Sequence, residues 1–205
     1  MRELMPDCVI AAAGGSSRMG SPKLLLPFGG RTMIGTVVAS ALEAGCRVVL
    51  VGGCRGEELA SLFAGRVGVE VVQNPGWERG MLGSIQRGME ALGPLPFFTI
   101  PADMPLVGPA VYARLLEILA ERERAELPTV PLFASFRGEA GHPVFIPASL
   151  APRIASLPPG ERLRPFLLRE APLFVECSDE SVLIDLDDGA AYEAALAQSS
   201  LRGKA

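Results

Sequence analysis

The chain has 205 residues, a net charge of −4 and a pI near 5.2. With 49% apolar and 20% charged residues it has the composition of a compact soluble protein, long enough for one domain with a substantial core. The acidic balance argues against a nucleic-acid-binding surface, which usually needs a basic face, so any phosphate binding must be local.

Cysteine usage and hydropathy indicate a cytoplasmic protein. The cysteines are Cys8, Cys46, Cys54 and Cys177. They form no CxxC pair and have no histidine nearby, which predicts neither a zinc site nor a redox dithiol, so we expect reduced, buried thiols. The N-terminal MRELMPDC lacks a basic region followed by an apolar stretch, and no apolar run reaches the roughly eighteen residues that cross a bilayer. We therefore expect no contact with a membrane.

Predicted strands and helices alternate as far as Glu126, which is typical of a parallel sheet built from βαβ units. In this part the predicted strands are 8–13, 47–53, 67–73 and 97–100, and the predicted helices are 32–44, 57–64, 80–92 and 109–124. Further on, the predicted strands are 128–134, 143–146, 172–177 and 181–186, and the predicted helices are 149–156, 161–169 and 189–197. Without an internal repeat or a linker, we expect a single domain over residues 1–205.

The stretch AAAGGSSRMGSPKLLLPFGG, residues 11–30, directly follows the first predicted strand. Glycine has no Cβ, so backbone that contains Gly14 and Gly15 can approach an anion closely and aim successive N–H groups at it. Arg18 and Lys23 add two cations whose N–H donors suit phosphate oxygens. We expect this exposed loop to bind a nucleoside triphosphate; a surface turn rich in Gly and Ser is the alternative.

Two common phosphate-binding patterns do not fit this stretch. The Walker pattern needs a lysine directly after its second glycine, but two residues separate Gly20 from Lys23. The dinucleotide pattern GxGxxG is absent as well. Instead, the stretch closely resembles the signature AAGxSxRMGxxKxLL of the MobA-like nucleotidyltransferases.

That resemblance implies both a fold and a nucleotide loop. The implied fold class is α/β: a three-layer α/β/α sandwich with a mostly parallel, Rossmann-like sheet of the nucleotide-diphospho-sugar transferase type. The implied nucleotide contacts in this stretch are Ala12, Ala13, Gly14, Gly15, Ser16, Arg18 and Lys23. Arg18 and Lys23 are also implied to be catalytic, because they offset charge on the β and γ phosphates and on the leaving pyrophosphate.

The segment IPADMPLV, residues 100–107, places Asp103 just after an apolar strand. Open α/β sheets bind ligands at the carboxyl ends of their strands. A capping role for Asp103 is unfavourable, because the helix predicted at Pro109 begins too far downstream. The segment resembles the family motif PADxP, which implies that Asp103 is a catalytic residue and a ligand of Mg²⁺, the implied cofactor.

A second carboxylate lies in DLDDGAAYEAAL, residues 185–196. This segment resembles the family's closing motif DxDTPEDYxxL, which implies that Asp187 completes the metal site. The residues that follow depart from the motif, since DGAA replaces TPED. Asp187 or Asp188 could instead cap the last helix, and the sequence leaves open whether Asp185, Asp187 or Asp188 completes the site.

Two further segments carry the same resemblance. NPGWERGMLGSIQRG, residues 74–88, is similar to NPxWxxGxxxSxxxG, which implies that Asn74, Gly80 and Ser84 bind the nucleotide. The only histidine, His142, lies in RGEAGHPVF, similar to the RGHP motif of the cytidylyltransferase branch. A lone histidine is more often a hydrogen-bonding residue than a catalyst, so we expect His142 to line the pocket of the acceptor substrate.

Together the four motifs resemble the molybdenum cofactor cytidylyltransferases, a branch of the MobA-like group. The resemblance implies transfer of CMP from CTP to the phosphate of a molybdopterin-type molybdenum cofactor, with these two small molecules as partners. It also allows transient contact with a molybdoenzyme or its maturation factor. The alternatives are a guanylyl or sugar-phosphate enzyme of the same fold, a nicotinamide-dependent oxidoreductase, which the absent GxGxxG disfavours, and a non-catalytic maturation factor.

Overall fold

The computed structural model describes residues 6–14 and 23–202, with side chains as far as residue 198. The strands are β1 (Asp7–Ala12), β2 (Pro27–Phe28), β3 (Arg31–Thr32), β4 (Val48–Gly52), β5 (Val69–Gln73), β6 (Phe97–Pro101), β7 (Leu132–Phe136), β8 (Glu139–Ile146) and β9 (Leu173–Glu176). The α-helices are α1 (Met33–Glu43), α2 (Gly56–Leu62), α3 (Met81–Leu92), α4 (Pro109–Arg124), α5 (Ala151–Ala155), α6 (Leu163–Leu168) and α7 (Gly189–Arg202).

A seven-stranded sheet organises the molecule, in the order β5-β4-β1-β6-β8-β7-β9. Strands β5, β4, β1 and β6 are parallel neighbours, and β7 is parallel to β9, whereas β8 runs antiparallel to both β6 and β7. The chain first adds strands on one side of β1 and then crosses to its other side with β6. Such a reversal of strand order opens a crevice at the carboxyl ends of the strands.

Helices cover both faces of this sheet, because alternate side chains of each strand point to opposite faces. On β1, Cys8 and Ile10 pack in one buried layer with Val37 of α1 and Tyr112 of α4. Val9 packs in the opposite layer with α3 and α6. This arrangement confirms the expected three-layer α/β/α class with a mostly parallel sheet.

Close approach of α3 to β1 depends on one glycine. A Cβ placed on Gly88 would lie 2.5 Å from Cγ1 of Val9, which is too close for any larger residue without movement. The helix therefore lies directly against the strand that leads into the glycine-rich stretch. As a result, the N-terminus of α3 is held near the carboxyl edge of the sheet.

The structure corrects several element boundaries. The predicted strand at 181–186 is wrong: Glu180–Leu183 is a 3₁₀ helix, started by Asp179, whose Oδ1 accepts a hydrogen bond from the Ser181 N–H at 2.9 Å. Strand β7 begins only after Pro131, because proline has no N–H to contribute to the ladder. Strand β8 starts at residue 139, well before the predicted 143, and so brings His142 into the sheet.

The sequence reasoning also missed the β2–β3 hairpin after Leu26. Its two turn residues, Gly29 and Gly30, have φ values of 56° and 79°, which suit the tight turn of a two-residue hairpin. Thr32 then caps α1, since its Oγ1 accepts a hydrogen bond from the Gly35 N–H at 3.1 Å. The hairpin thereby connects the segment after the glycine-rich stretch to the first helix.

The cysteines have no disulfide partner. Cys8 and Cys46 are buried as expected, but Cys54 is exposed, because it follows β4 in a surface turn. No helix in the described part of the chain combines the length and apolar character that crossing a membrane requires.

Candidate active site

A cleft of about 220 Å³ opens at the carboxyl ends of β1 and β6. The residues of its lining that the sequence singled out are Ala12, Gly14, Lys23, Asp103 and Asp187. A larger hollow, of about 380 Å³, lies between α4 and the segment after β9, and none of the sequence-predicted site residues lines it. Because the charged residues predicted from the motifs, Lys23, Asp103 and Asp187, converge on the smaller cleft, that cleft is the candidate site.

Lys23 stands at the centre of the cleft. Its Nζ donates a hydrogen bond to Oδ2 of Asp103 and another to Oδ1 of Asp187, each at 3.0 Å. The side chain is only 7% exposed, so the expectation of an exposed loop cation is wrong for Lys23. An ammonium group this buried is tolerated because carboxylates neutralise it.

Asp103 is held firmly at the end of β6. The Ala102 N–H donates to the Ala11 carbonyl at 3.2 Å, and the Asp103 carbonyl accepts from the Leu186 N–H at 2.9 Å. One carboxylate oxygen, Oδ2, accepts from Lys23, but Oδ1 is buried and has no hydrogen-bond partner within the described residues. Since a buried oxygen without a partner costs free energy, Oδ1 is available to a cation or a donor from a ligand.

Asp187 reaches the cleft from a segment with a different kind of support. Its neighbour Leu186 is fully buried and packs in a small apolar cluster with Phe28 and Leu106, while the Asp187 side chain itself is 60% exposed. Asp188 caps α7, because its Oδ1 accepts from the Ala191 N–H at 2.9 Å. The capping role therefore belongs to Asp188, and Asp187 faces Lys23.

Asp185 adds a third carboxyl group to the electrostatics of the cleft. Burial raises the pKa of the Asp185 carboxyl, the carboxylates of Asp187 and Asp103 raise it further, and Lys23 lowers it. The neighbourhood is therefore rich in negative charge around one buried ammonium. This coupling could not be predicted from spacing alone, although the DLDD run left Asp185 open as a candidate.

The donor set suits Mg²⁺ only in combination with a substrate. Within residues 6–14 and 23–198, no group of three or more His, Cys, Asp or Glu side chains is arranged to hold a metal ion. Mg²⁺, however, usually takes only one or two carboxylates and completes its shell with phosphate oxygens and water. Asp103 and Asp187 meet that requirement, and the unpartnered Oδ1 of Asp103 provides a further oxygen.

The residues predicted from the segment at 74–88 do not themselves line the cleft. The Asn74 Nδ2 donates to Oγ of Ser84 at 3.0 Å, both side chains are buried, and neither residue lines the cleft. Gly80, with φ of 101°, begins α3 and directs Met81 into the cleft lining. The side chains of Asn74 and Ser84 thus hold the turn that precedes α3, while Gly80 sets the position of its first residue.

Two contacts near the cleft were missed by sequence reasoning. A Cβ on Gly53 would lie 2.3 Å from the carbonyl oxygen of Ala13 and 2.8 Å from Cβ of Trp77. Gly53 therefore lets the buried Ala13 backbone and the Trp77 side chain approach the loop after β4. The second is Met81, which lines the cleft. The sequence could have indicated it, because it directly follows the motif residue Gly80.

His142 lies on β8 and is not part of the cleft lining. Burial lowers the pKa of its imidazole from the usual 6.5 to about 4, a hydrogen bond with the Thr99 backbone opposes this shift, and Arg164 adds to it. Its Nδ1 is buried without a hydrogen-bond partner in the described part of the chain. The side chain is therefore a neutral imidazole near neutral pH.

The predicted residues Gly15, Ser16 and Arg18 lie outside the described residues.

Residues 8–173 match the MobA-like NTP transferase domain. The chain belongs to this family. The MobA-like chain is 29% identical over 181 residues to the molybdenum cofactor cytidylyltransferase of Escherichia coli (strain K12), covering 88% of this chain and 90% of that protein. It is 31% identical over 188 residues to the Nicotine blue oxidoreductase of Paenarthrobacter nicotinovorans, covering 87% and 90%.

A solved structure gives the same result for the fold. A nucleotidyl transferase from Methanothermobacter thermautotroptrophicus superposes with a TM-score of 0.79 at 26% identity, covering 97% of this chain and 99% of that chain. The family expected from the motifs is confirmed, and the protein is a nucleotidyltransferase of the MobA-like family.

Proposed function

We propose that this MobA-like protein transfers CMP from CTP to the phosphate of a molybdopterin-type molybdenum cofactor and releases pyrophosphate. The observation that carries the proposal is the convergence of Lys23, Asp103 and Asp187 at the carboxyl edge of the sheet. The choice of nucleotide and acceptor is supported by the similarity to the E. coli cytidylyltransferase over most of both chains.

The proposed reaction needs alignment and charge neutralisation more than side-chain activation. An oxygen of the acceptor phosphate bonds to the α-phosphorus of CTP, the bond between that phosphorus and the bridging oxygen breaks, and pyrophosphate carries away the electron pair. A phosphate monoester is already an anionic nucleophile, so no Ser, Cys or His must be deprotonated. Lys23 donates hydrogen bonds to the triphosphate oxygens as charge moves to the leaving group.

Mg²⁺ is the proposed cofactor, and Asp103 and Asp187 are the residues that would hold it. When bound, it would neutralise charge on the phosphate oxygens. Asp103 contributes a carboxylate fixed by the end of β6, and Asp187 contributes one from the segment before α7. In the substrate-free protein the same two side chains position Lys23, because its ammonium bridges them.

The remaining predicted residues have supporting roles in this proposal. Arg18 would assist Lys23 at the triphosphate, and the backbone N–H groups from Ala12 to Ser16 would bind the nucleotide. Gly80 presents the start of α3 to the nucleotide, where helix N–H groups lack side-chain caps. A role of His142 in the acceptor pocket stays a prediction, since the cleft lining does not include it.

The test measures pyrophosphate release with each of CTP, GTP, UTP and ATP, in the presence of Mg²⁺ and isolated molybdenum cofactor. We expect CTP to be the preferred nucleotide and the product to be the cytidine dinucleotide form of the cofactor. Faster release with GTP would replace the cytidylyl assignment by a guanylyl one. A separate assay follows the oxidation of a reduced nicotinamide dinucleotide by the same protein. Oxidation there, together with no pyrophosphate release from any nucleotide, would overturn nucleotidyl transfer altogether.

Asp103→Asn and Asp188→Asn form a matched pair for the same assay. Both substitutions keep the side-chain shape and remove one carboxylate charge. Asparagine can still cap α7 at position 188, whereas at position 103 it removes a carboxylate from the cleft. Loss of pyrophosphate release in the first variant alone supports the assigned site.

A further inference from the structure

The ammonium of Lys23 lies between the two carboxylates that would hold a metal ion. Nζ lies 3.0 Å from Oδ2 of Asp103 and 3.0 Å from Oδ1 of Asp187. These two residues are far apart in the chain and meet only through the fold. A divalent cation held by the same two oxygens would compete with Nζ for the space between them.

Burial makes simultaneous occupation by both cations unfavourable. The Lys23 side chain is 7% exposed, so water screens its charge poorly. Repulsion between an ammonium and a divalent ion at contact distance is therefore strong in this place. One of the two cations must leave when the other binds these oxygens.

The pairing with Lys23 leaves the Asp103 carboxylate incompletely satisfied. Oδ1 of Asp103 is buried without a partner in the described residues, although Oδ2 of the same group accepts from Lys23. Among the described residues, Asp103, Asp187 and Lys23 together carry a formal charge of about −1, before Asp185 is counted. A divalent ion would complete both the coordination and the charge balance, provided that Lys23 found another anion.

We propose that Lys23 holds the place of the metal ion in the substrate-free protein, so that Lys23 and Mg²⁺ compete for Asp103 and Asp187. A nucleoside triphosphate ends this competition, because its phosphate oxygens accept the hydrogen bonds that Lys23 gives up. Mg²⁺ alone therefore binds weakly, and Mg²⁺ and nucleotide bind with positive cooperativity. This inference rests on the proposed function for the identity of the two ligands.

The first experiment titrates the protein with Mg²⁺ alone, by calorimetry, in wild type, Lys23→Met and Arg47→Met. Arg47 is a matched control: it also pairs with two carboxylates, Asp7 at 2.9 Å and Glu70 at 3.6 Å, but at the amino ends of the strands. We expect Lys23→Met to bind Mg²⁺ roughly tenfold or more tightly than wild type. Arg47→Met should bind as wild type does, and adding Asp103→Asn to Lys23→Met should abolish the gain.

A second measurement uses the wild-type protein and so does not depend on the folding of a variant. The sequence contains only one other lysine, Lys204, which serves as an internal reference for amine acylation followed by mass spectrometry. We expect Lys23 to react slowly in the apo protein and faster at saturating Mg²⁺. Adding a non-hydrolysable nucleotide should slow it again, because the ammonium then lies on the phosphates.

The proposal is overturned if Lys23→Met binds Mg²⁺ no more tightly than wild type, or if saturating Mg²⁺ leaves Lys23 acylation unchanged. These outcomes are independent of catalysis. Tighter Mg²⁺ binding by Lys23→Met, together with no nucleotidyl transfer by wild type, would keep the competition and overturn the proposed function. If wild type instead shows Mg²⁺-dependent nucleotidyl transfer, and Lys23→Met binds Mg²⁺ no more tightly than wild type, the proposed function is kept and the competition is overturned.

Discussion

The two carboxylates that meet at Lys23 reach the cleft in different ways. Asp103 follows the central strand β6, and hydrogen bonds of Ala102 and of Asp103 itself fix its backbone. Asp187 lies outside the sheet, on a segment anchored by the buried side chain of Leu186 and followed by the Asp188 cap. One carboxylate is thus placed by the sheet and the other by a small apolar cluster, which predicts different sensitivity to substitution.

Removal of the cation that joins the two regions should have the largest effect. Lys23→Ala should lower kcat by about a hundredfold or more, the scale of losing one preorganised electrostatic contact in a water-poor site. Because Lys23 is buried, the variant should also lose some stability, since the Asp103 carboxylate loses its partner. Steady-state pyrophosphate release and thermal unfolding measure the two effects, with Arg47→Ala as control. Wild-type turnover in Lys23→Ala would contradict the assigned role.

Asp103→Asn and Asp187→Asn compare the two regions directly. We expect both to raise the Mg²⁺ concentration needed for half-maximal rate, and Asp103→Asn to lower the rate more. Asp103 is held rigidly and is 24% exposed, whereas Asp187 is 60% exposed, so its charge is better screened by water. Rates measured over a range of Mg²⁺ concentrations test whether Asp103→Asn loses more activity than Asp187→Asn. An equal or larger loss for Asp187→Asn would show that the segment before α7 carries the metal.

A comparison of two buried leucines can separate the role of Leu186 in positioning Asp187 from its contribution to overall stability. Leu186→Ala and Leu167→Ala each remove a buried side chain and should each cost about 2–5 kcal/mol of unfolding free energy. Only Leu186→Ala should also raise the Mg²⁺ requirement of the reaction, by a few-fold, because it loosens Asp187. Denaturant unfolding and Mg²⁺ titrations of the rate compare them. A similar Mg²⁺ shift in both variants would argue against the anchoring role.

Much of the fold could be predicted from hydrophobic periodicity in the first 126 residues. There each strand of the seven-stranded sheet is followed by an α-helix before the next strand of that sheet, and apolar runs such as Val48–Gly52 are fully buried. The later part was harder, because short β segments there depend on partners distant in sequence. The run at 181–186 is rich in apolar residues, yet its first part belongs to the 3₁₀ helix Glu180–Leu183, which Asp179 caps.

The site was predictable where a motif names a residue and less so where tertiary contacts decide. PADMP pointed to Asp103 because a carboxylate at a strand end has few structural roles. In contrast, the sequence could not separate Asp187 from Asp188, since both suit a helix cap, and only the hydrogen bond from Ala191 assigns that role. The burial of Lys23 was missed because loop composition says nothing about the carboxylates that arrive from elsewhere.

His142 gives the smallest expected effect, on stability at mildly acidic pH. Burial depresses the pKa of the imidazole from 6.5 to about 4, with Arg164 as the nearby positive charge, so the unfolded chain binds a proton before the folded one does. The contribution of His142 to the free energy of unfolding should therefore be constant above pH 6.5 and fall as the pH drops toward 4. Because His142 is partly exposed, we expect a loss on the order of 1–2 kcal/mol.

Denaturant unfolding of wild type and His142→Gln between pH 4 and 8 isolates this contribution. The variant cannot titrate at this position, so its stability should fall less than that of wild type below pH 6.5, and the two curves should run parallel above it. Parallel curves over the whole range would mean that the imidazole binds its proton equally well in both states. The sheet would then not isolate this histidine from water.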